Sequence, residues 1–312
     1  MYIADFFKTL TRKSNIPVLI YLVLNIFVIA GITSFLLSMN FGLGLLVGLG
    51  LYAISLLIAL SPIGEFILRF QNGCKKIKDP ELFNFIEPIF REVYGKAVQA
   101  DPSISPDISL YLNNDRAPNA FATGRKTICI TKGLLNMPVE QIKATLAHEF
   151  GHLSHKDTDL ILVVAVGNLI VTGFIVGIRI IITLVHLFIS LICIVAGGPE
   201  GAIAGAINSL HTLLITAIVS GLTWIWTKIG TLLVMKASRS NEFEADEFAS
   251  KLGYGNDLCI LLDTICASNA TGLFANLASS HPDKADRIAK LQELGASYRK
   301  AIPQNTPHLM GG

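Results

Sequence analysis

Charge is what this sequence has least of. Asp, Glu, Lys and Arg make up 15% of its 312 residues, where a soluble domain carries about a quarter, while hydrophobic residues reach 52%. That deficit excludes a purely water-soluble protein and implies membrane-embedded segments beside a water-exposed part. Net charge is only +2 and no basic run is interleaved with aromatics, which excludes a nucleic-acid partner. The five cysteines, Cys74, Cys129, Cys193, Cys259 and Cys266, contain no Cys-x-x-Cys spacing. Neither a disulfide framework nor a zinc ribbon is expected of them. Internal repeats and low-complexity tracts are also missing. The first apolar run is too long for a signal-peptide core and lacks a small-residue cleavage site, so it is expected to be retained as a helix.

What the chain does have is long apolar runs in pairs. Runs at about 17–39 and 41–60 each approach the roughly 20 residues that span a bilayer, and little more than Asn40 separates them. They predict a tight transmembrane hairpin. Lys8, Arg12 and Lys13 precede it and Arg69, Lys75, Lys76 and Lys78 follow, so the positive-inside rule places both flanks in the cytoplasm. A second pair, at about 159–196 and 202–235 with a turn through 197–201, predicts another hairpin. Its first arm is one helix too long for about 30 Å of hydrocarbon and should stand partly outside the bilayer, with Arg179 facing the bundle or protruding. Trp224 and Trp226 are placed like interface anchors.

Between the hairpins, 73–157 turns soluble. Its pattern predicts a helix over 81–100 interrupted near Pro88, then short strands at 108–112, 119–122 and 127–131. A second soluble part, helical, follows over 236–302, and 303–312 reads as a loosely ordered tail. The fold class is α+β in the water-exposed part, combined with four transmembrane α-helices.

The first soluble part ends in Ala147-His148-Glu149-Phe150-Gly151-His152. Pro138 and Glu140, with Ile142, Leu146, Phe150 and Leu153 at helical spacing, predict one amphipathic helix of about four turns around it. Residues four apart share a helical face, so His148 and His152 can aim imidazole nitrogens at one ion while Glu149 sits beside it. Two neutral nitrogen ligands, an open position and a neighbouring carboxylate are the parts that metal-assisted hydrolysis needs. So short a pattern also recurs by chance, and the helical setting gives it weight.

Two histidines need a third protein ligand. A continuation with glycine at 155 and histidine at 158 is excluded, since His155 and Thr158 stand there. The alternative is a carboxylate from a later helix, and 241–249 is rich in candidates. Glu242 and Asp246 share a helical face, while Glu244 points away from both. That spacing suits a ligand plus a carboxylate that orients a zinc histidine through its other ring N–H; a solvated acidic helix has the same charge pattern. Two spans between His148 and Glu242 return the chain to one side of the membrane, as convergence requires. His155 is either an extra ligand or a hydrated residue at the helix end.

Taken together, these residues resemble the HtpX branch of the Ste24/HtpX membrane metalloproteases. His148-Glu149-Phe150-Gly151-His152 carries the likeness, with Ser238-Arg239-Ser240-Asn241-Glu242-Phe243-Glu244-Ala245-Asp246 after two membrane helices. Asn119-Ala120-Phe121-Ala122-Thr123-Gly124, His281-Pro282 and Arg287-Ile288 extend it along nearly the whole chain. The resemblance implies a zincin-like domain in the cytoplasm, carried on four spans of the cytoplasmic (inner) membrane. It implies one Zn2+ held by His148, His152 and Glu242, with Glu149 as the catalytic carboxylate and Asp246 supporting the first zinc histidine. Asn119 and Ala120 would lie on an edge strand that takes the substrate backbone by strand addition. His281 would stabilise a developing oxyanion, with Arg287 as its neighbour in substrate binding. The implied substrates are unfolded or misfolded membrane proteins, removed in quality control.

The expected reaction is peptide-bond hydrolysis by zinc-activated water with Glu149 as general base, and no acyl-enzyme, since no Ser or Cys is paired with a base. A catalytically silent zinc-containing scaffold or chaperone is the alternative. Such a site needs no general base and closes with a fourth protein ligand, whereas Glu149 is present and no fourth ligand is evident. A zinc transporter would want carboxylates inside its spans, where the sequence offers only His186 and His211.

Overall fold

The computed structural model of the protein describes residues 10–12, 15–156, 158–264 and 284–298. The expectations for His281 and for the 303–312 tail lie outside the described residues. α1 (Ile16–Leu36) and α2 (Phe41–Ala59) are apolar on all sides, as helices that meet lipid must be. Asn40 starts α2 by accepting a hydrogen bond from the Leu43 N–H at 2.8 Å. The two helices meet closely at Gly44, where any Cβ would collide with Ser34. α3 (Pro62–Gln71) follows, capped by Ser61; it buries Gly64, Glu65 and Leu68 and exposes Ile63, Phe66 and Phe70.

The soluble part begins with β1 (Lys75–Lys76) and α4 (Pro80–Ala100). α4 runs unbroken through Pro88, contrary to the interruption expected there. Proline costs the helix one backbone bond, but the buried stripe of Ile86, Ile89, Phe90, Val93, Tyr94 and Ala97 continues on both sides of it, and packing decides. β2 (Ser109–Asn113), β3 (Ala120–Thr123) and β4 (Thr127–Thr131) complete a four-stranded sheet in the order β1-β2-β4-β3. β2 and β4 are parallel and the other pairs antiparallel. β4, rich in β-branched residues, is buried at every position, and β3 forms an edge. β1 has no local signal, because two lysines carry no apolar alternation; pairing with Tyr111 and Leu112 makes it a strand.

α5 (Val139–His155) packs on this sheet and on α4 through a cluster of Phe90, Tyr94 and Phe150, whose ring centroids lie 5.5 to 5.7 Å apart. Lys156, at φ 61°, ends it. α6 (Thr158–Leu162), a π-helical turn over Val163–Gly167 and α7 (Asn168–Ala196) then form the outgoing arm of the second hairpin. The returning arm corrects the expected boundary near 235. α8 (Gly198–Lys251) is a single helix of 54 residues, because no Pro or Gly stands between 231 and 250 to stop it where hydropathy falls. α9 (Gly255–Thr264) and α10 (Lys284–Glu293) close the soluble part.

Among the described residues, four helical stretches are long and apolar enough to cross a membrane, of 20, 19, 39 and 33 residues. Arg12, ahead of α1, reaches the His155 carbonyl at 3.5 Å and Glu244 at 3.9 Å. Arg12 therefore lies on the same side as the end of α5.

Candidate metal centre and active site

The four-residue spacing on α5 puts the two imidazoles side by side, with His148 Nε2 and His152 Nε2 3.2 Å apart and the rings edge to face. α8 lies against this face at Gly151, where a Cβ would stand 2.7 Å from Ala245 Cα. Only a glycine permits that approach, and it brings Glu242 to the histidines. Glu242 Oε2 is 3.4 Å from His148 Nε2, and Oε1 is 3.4 Å from His152 Nε2. One donor atom from each of the three lies within 4.8 Å of the others. Two imidazole nitrogens and a carboxylate, nearly closed off from water, are a donor set that suits a divalent cation of the zinc type.

Glu149 is 7% exposed, and its Oε2 accepts a hydrogen bond from the Ala122 N–H of β3 at 2.7 Å. Burial raises its pKa, with His152 and His148 acting in the opposite sense. Behind the metal-facing nitrogen, His148 Nδ1 lies 2.9 Å from Asp246 Oδ1, close enough for the carboxylate to orient the ring. Burial works against charging His148, but Asp246 and Glu242 outweigh it and raise its pKa. Asp246 is itself held low: burial would raise it, and Arg287 and His148 prevail.

The peptidase family M48 model matches residues 91–295, a span that takes in both ligand-bearing helices and strands β2, β3 and β4. The chain belongs to peptidase family M48. Among its relatives are the protease HtpX of Legionella pneumophila, 28% identical over 241 residues, which cover 68% of this chain and 76% of the relative. The protease HtpX of Shewanella frigidimarina is 24% identical over 250 residues, 74% of this chain and 81% of the relative. A protease HtpX homolog of Albidiferax ferrireducens is 27% identical over 309 residues, covering 88% and 98%. The chain is thus an HtpX-type metalloprotease, and its four apolar helices make it a membrane protein.

Other residues singled out in the sequence of this M48 protease fall in varied places. Arg287, on α10, is 6% exposed and faces the carboxylates: Nε and Nη2 donate to Asp246 at 2.7 and 2.6 Å, and Nη1 lies 3.1 Å from Glu242 Oε2. It stands behind the ligands, bracing them, where the resemblance had suggested contact with substrate. Asn119 is exposed and just precedes β3, while Ala120 begins the strand. His155 lies 3.8 Å from Glu244 and is not part of the donor cluster. His186 meets Asn208 at 3.2 Å between the arms of the second hairpin, and His211 is exposed on α8.

Sequence reasoning missed the group that holds the edge strand. The turn from β3 to β4 carries Gly124 at φ 63°, with buried Glu65 of α3 so close that a Cβ there would collide with it. Glu65 Oε1 accepts the Arg125 N–H at 2.9 Å, the Thr158 hydroxyl donates to the Gly124 carbonyl, and Arg125 Nε reaches both oxygens of Asp159 at 3.0 and 3.1 Å. Asp159 is fully buried. The strand beside Glu149 is therefore tied to α3, just after the first hairpin, and to the start of the outgoing arm of the second. The sequence offered one signal: lone carboxylates, Glu65 and Asp159, at the borders of apolar runs.

Proposed function

We propose that this protein is a zinc-dependent endopeptidase that hydrolyses peptide bonds in misfolded or damaged membrane proteins from the cytoplasmic face of the inner membrane, with Glu149 as general base. The observation that carries the reading is a buried carboxylate set between a three-donor cluster and an edge strand. His148, His152 and Glu242 would hold a zinc ion, which would supply Lewis acidity and bring the pKa of water toward about 7. The Ala122 N–H fixes one oxygen of Glu149, leaving the other to take the proton of the attacking water and pass it to the leaving nitrogen.

The edge strand supports peptide as the substrate. Thr131 N–H bonds the Asn119 carbonyl, so Asn119 faces β4, and alternation turns the backbone N–H and carbonyl of Ala120 and the carbonyl of Ala122 outward, the Ala122 N–H being taken by Glu149. An extended peptide can add there as a further strand. Basic flanks around the first hairpin, with Arg12 on the side of α5, support a cytoplasmic site. Nearby loops, tails and partly extracted segments of membrane proteins are the substrates within reach.

The test is to compare wild type with Glu149→Gln on an unfolded membrane protein in the presence of zinc. Cleavage is expected to fall by at least about 100-fold while metal content is unchanged. Equal cleavage at equal metal content overturns the mechanism.

A further inference from the structure

The second membrane hairpin holds a cation that proteolysis does not use. Between α7 and α8 lies a cavity of about 370 Å³, within the ~300–1,000 Å³ usual for ligand sites. It runs from Gln71, at the end of α3, to Arg179 on α7, along a wall of Leu169, Ile175, Val176, Val219 and Trp224. Arg179 is only 6% exposed. Its Nη1 donates to the Thr216 carbonyl at 2.7 Å and to Ser220 Oγ at 3.4 Å, which uses both hydrogens of that nitrogen. Nε and Nη2 make no hydrogen bond or ion pair among the described residues. No Asp or Glu stands at 16–64, 160–199 or 201–241 to neutralise the charge.

A guanidinium keeps its proton in any protein setting, and an unmatched cation among lipid chains is costly. Its unspent edge, Nε with Nη2, is the fork that meets two oxygens of a phosphate in parallel. Depth fits such a headgroup. Asn25 on α1 and Asn168 on α7 are hydrogen-bonded at 3.1 Å. The end of α1 and Arg179 each lie eleven residues beyond that contact, about 16 Å along their helices. Arg179 is thus level with the turn of the first hairpin, on the membrane side opposite the metal ligands.

We propose that this cavity binds one phospholipid, its phosphate on the Nε–Nη2 edge of Arg179 and an acyl chain laid along the apolar wall toward Gln71. The lipid supplies the missing countercharge and fills the gap between the hairpin's arms.

The test uses delipidated full-length protein in detergent, titrated with phosphatidylglycerol, with diacylglycerol of the same chains and with oleate, and read by native mass spectrometry. One phosphatidylglycerol per chain is expected to be retained by wild type, at least tenfold more weakly by Arg179→Gln, and with partial recovery in Arg179→Lys; diacylglycerol and oleate are not retained. Val176→Trp, which fills the cavity without changing the guanidinium, is expected to displace the lipid too, and it decides the matter if the arginine variants fail to fold. Equal retention by wild type and the folded variants, equal retention of diacylglycerol, or retention of oleate alone overturns the proposal.

Discussion

Asp246 serves two partners at once, with His148 Nδ1 at 2.9 Å on one side and the Arg287 guanidinium on the other. Removing its charge loosens the ring that must aim Nε2 at the ion. Asp246→Asn is expected to weaken zinc affinity by about 10–100-fold, measured by chelator competition on folded protein. Wild-type affinity in that variant would mean the ring is held by other contacts. At this scale the sequence was partly legible. His148, His152, Glu242 and Asp246 stand at four-residue intervals, and helical geometry alone puts each pair on one face. Arg287 was legible only as a motif residue, because its distance from α8 depends on how α10 docks, which no local pattern records. The Ala122 N–H carries no side-chain signal, and its bond to Glu149 could be found only in three dimensions.

Among the elements, β3 is the one whose position matters most, and it is held by α3 and α6 as well as by its sheet. The Arg125–Asp159 pair is the strongest part of that hold. Because Asp159 is fully buried, Arg125→Gln or Asp159→Asn alone breaks a buried charge pair, expected to cost about 3–5 kcal/mol. The double variant should cost less than the sum, with a coupling of at least about 0.5 kcal/mol in thermal unfolding. Simple additivity would show that the turn is held by Glu65 and Thr158 alone. Element lengths were readable where composition sets them, as in the four apolar stretches and the β-branched run of β4. They were misread where packing overrules a local signal: α4 continues past Pro88, and α8 continues past the end of its apolar run, since a helix ends at a breaker rather than where hydropathy drops.

For the whole molecule, the site exists because a membrane hairpin separates its halves. His148 and His152 come before the second hairpin and Glu242 after it, and α8 passes from the far turn at Gly198 to the third donor without a break. Correct insertion of that hairpin is therefore a condition for metal binding. Zinc content of the purified full-length chain, beside Glu242→Ala of unchanged helical content, tests this convergence most directly. Wild type should hold a single zinc after mild chelation and the variant none; a variant that keeps its zinc with wild-type affinity would contradict it.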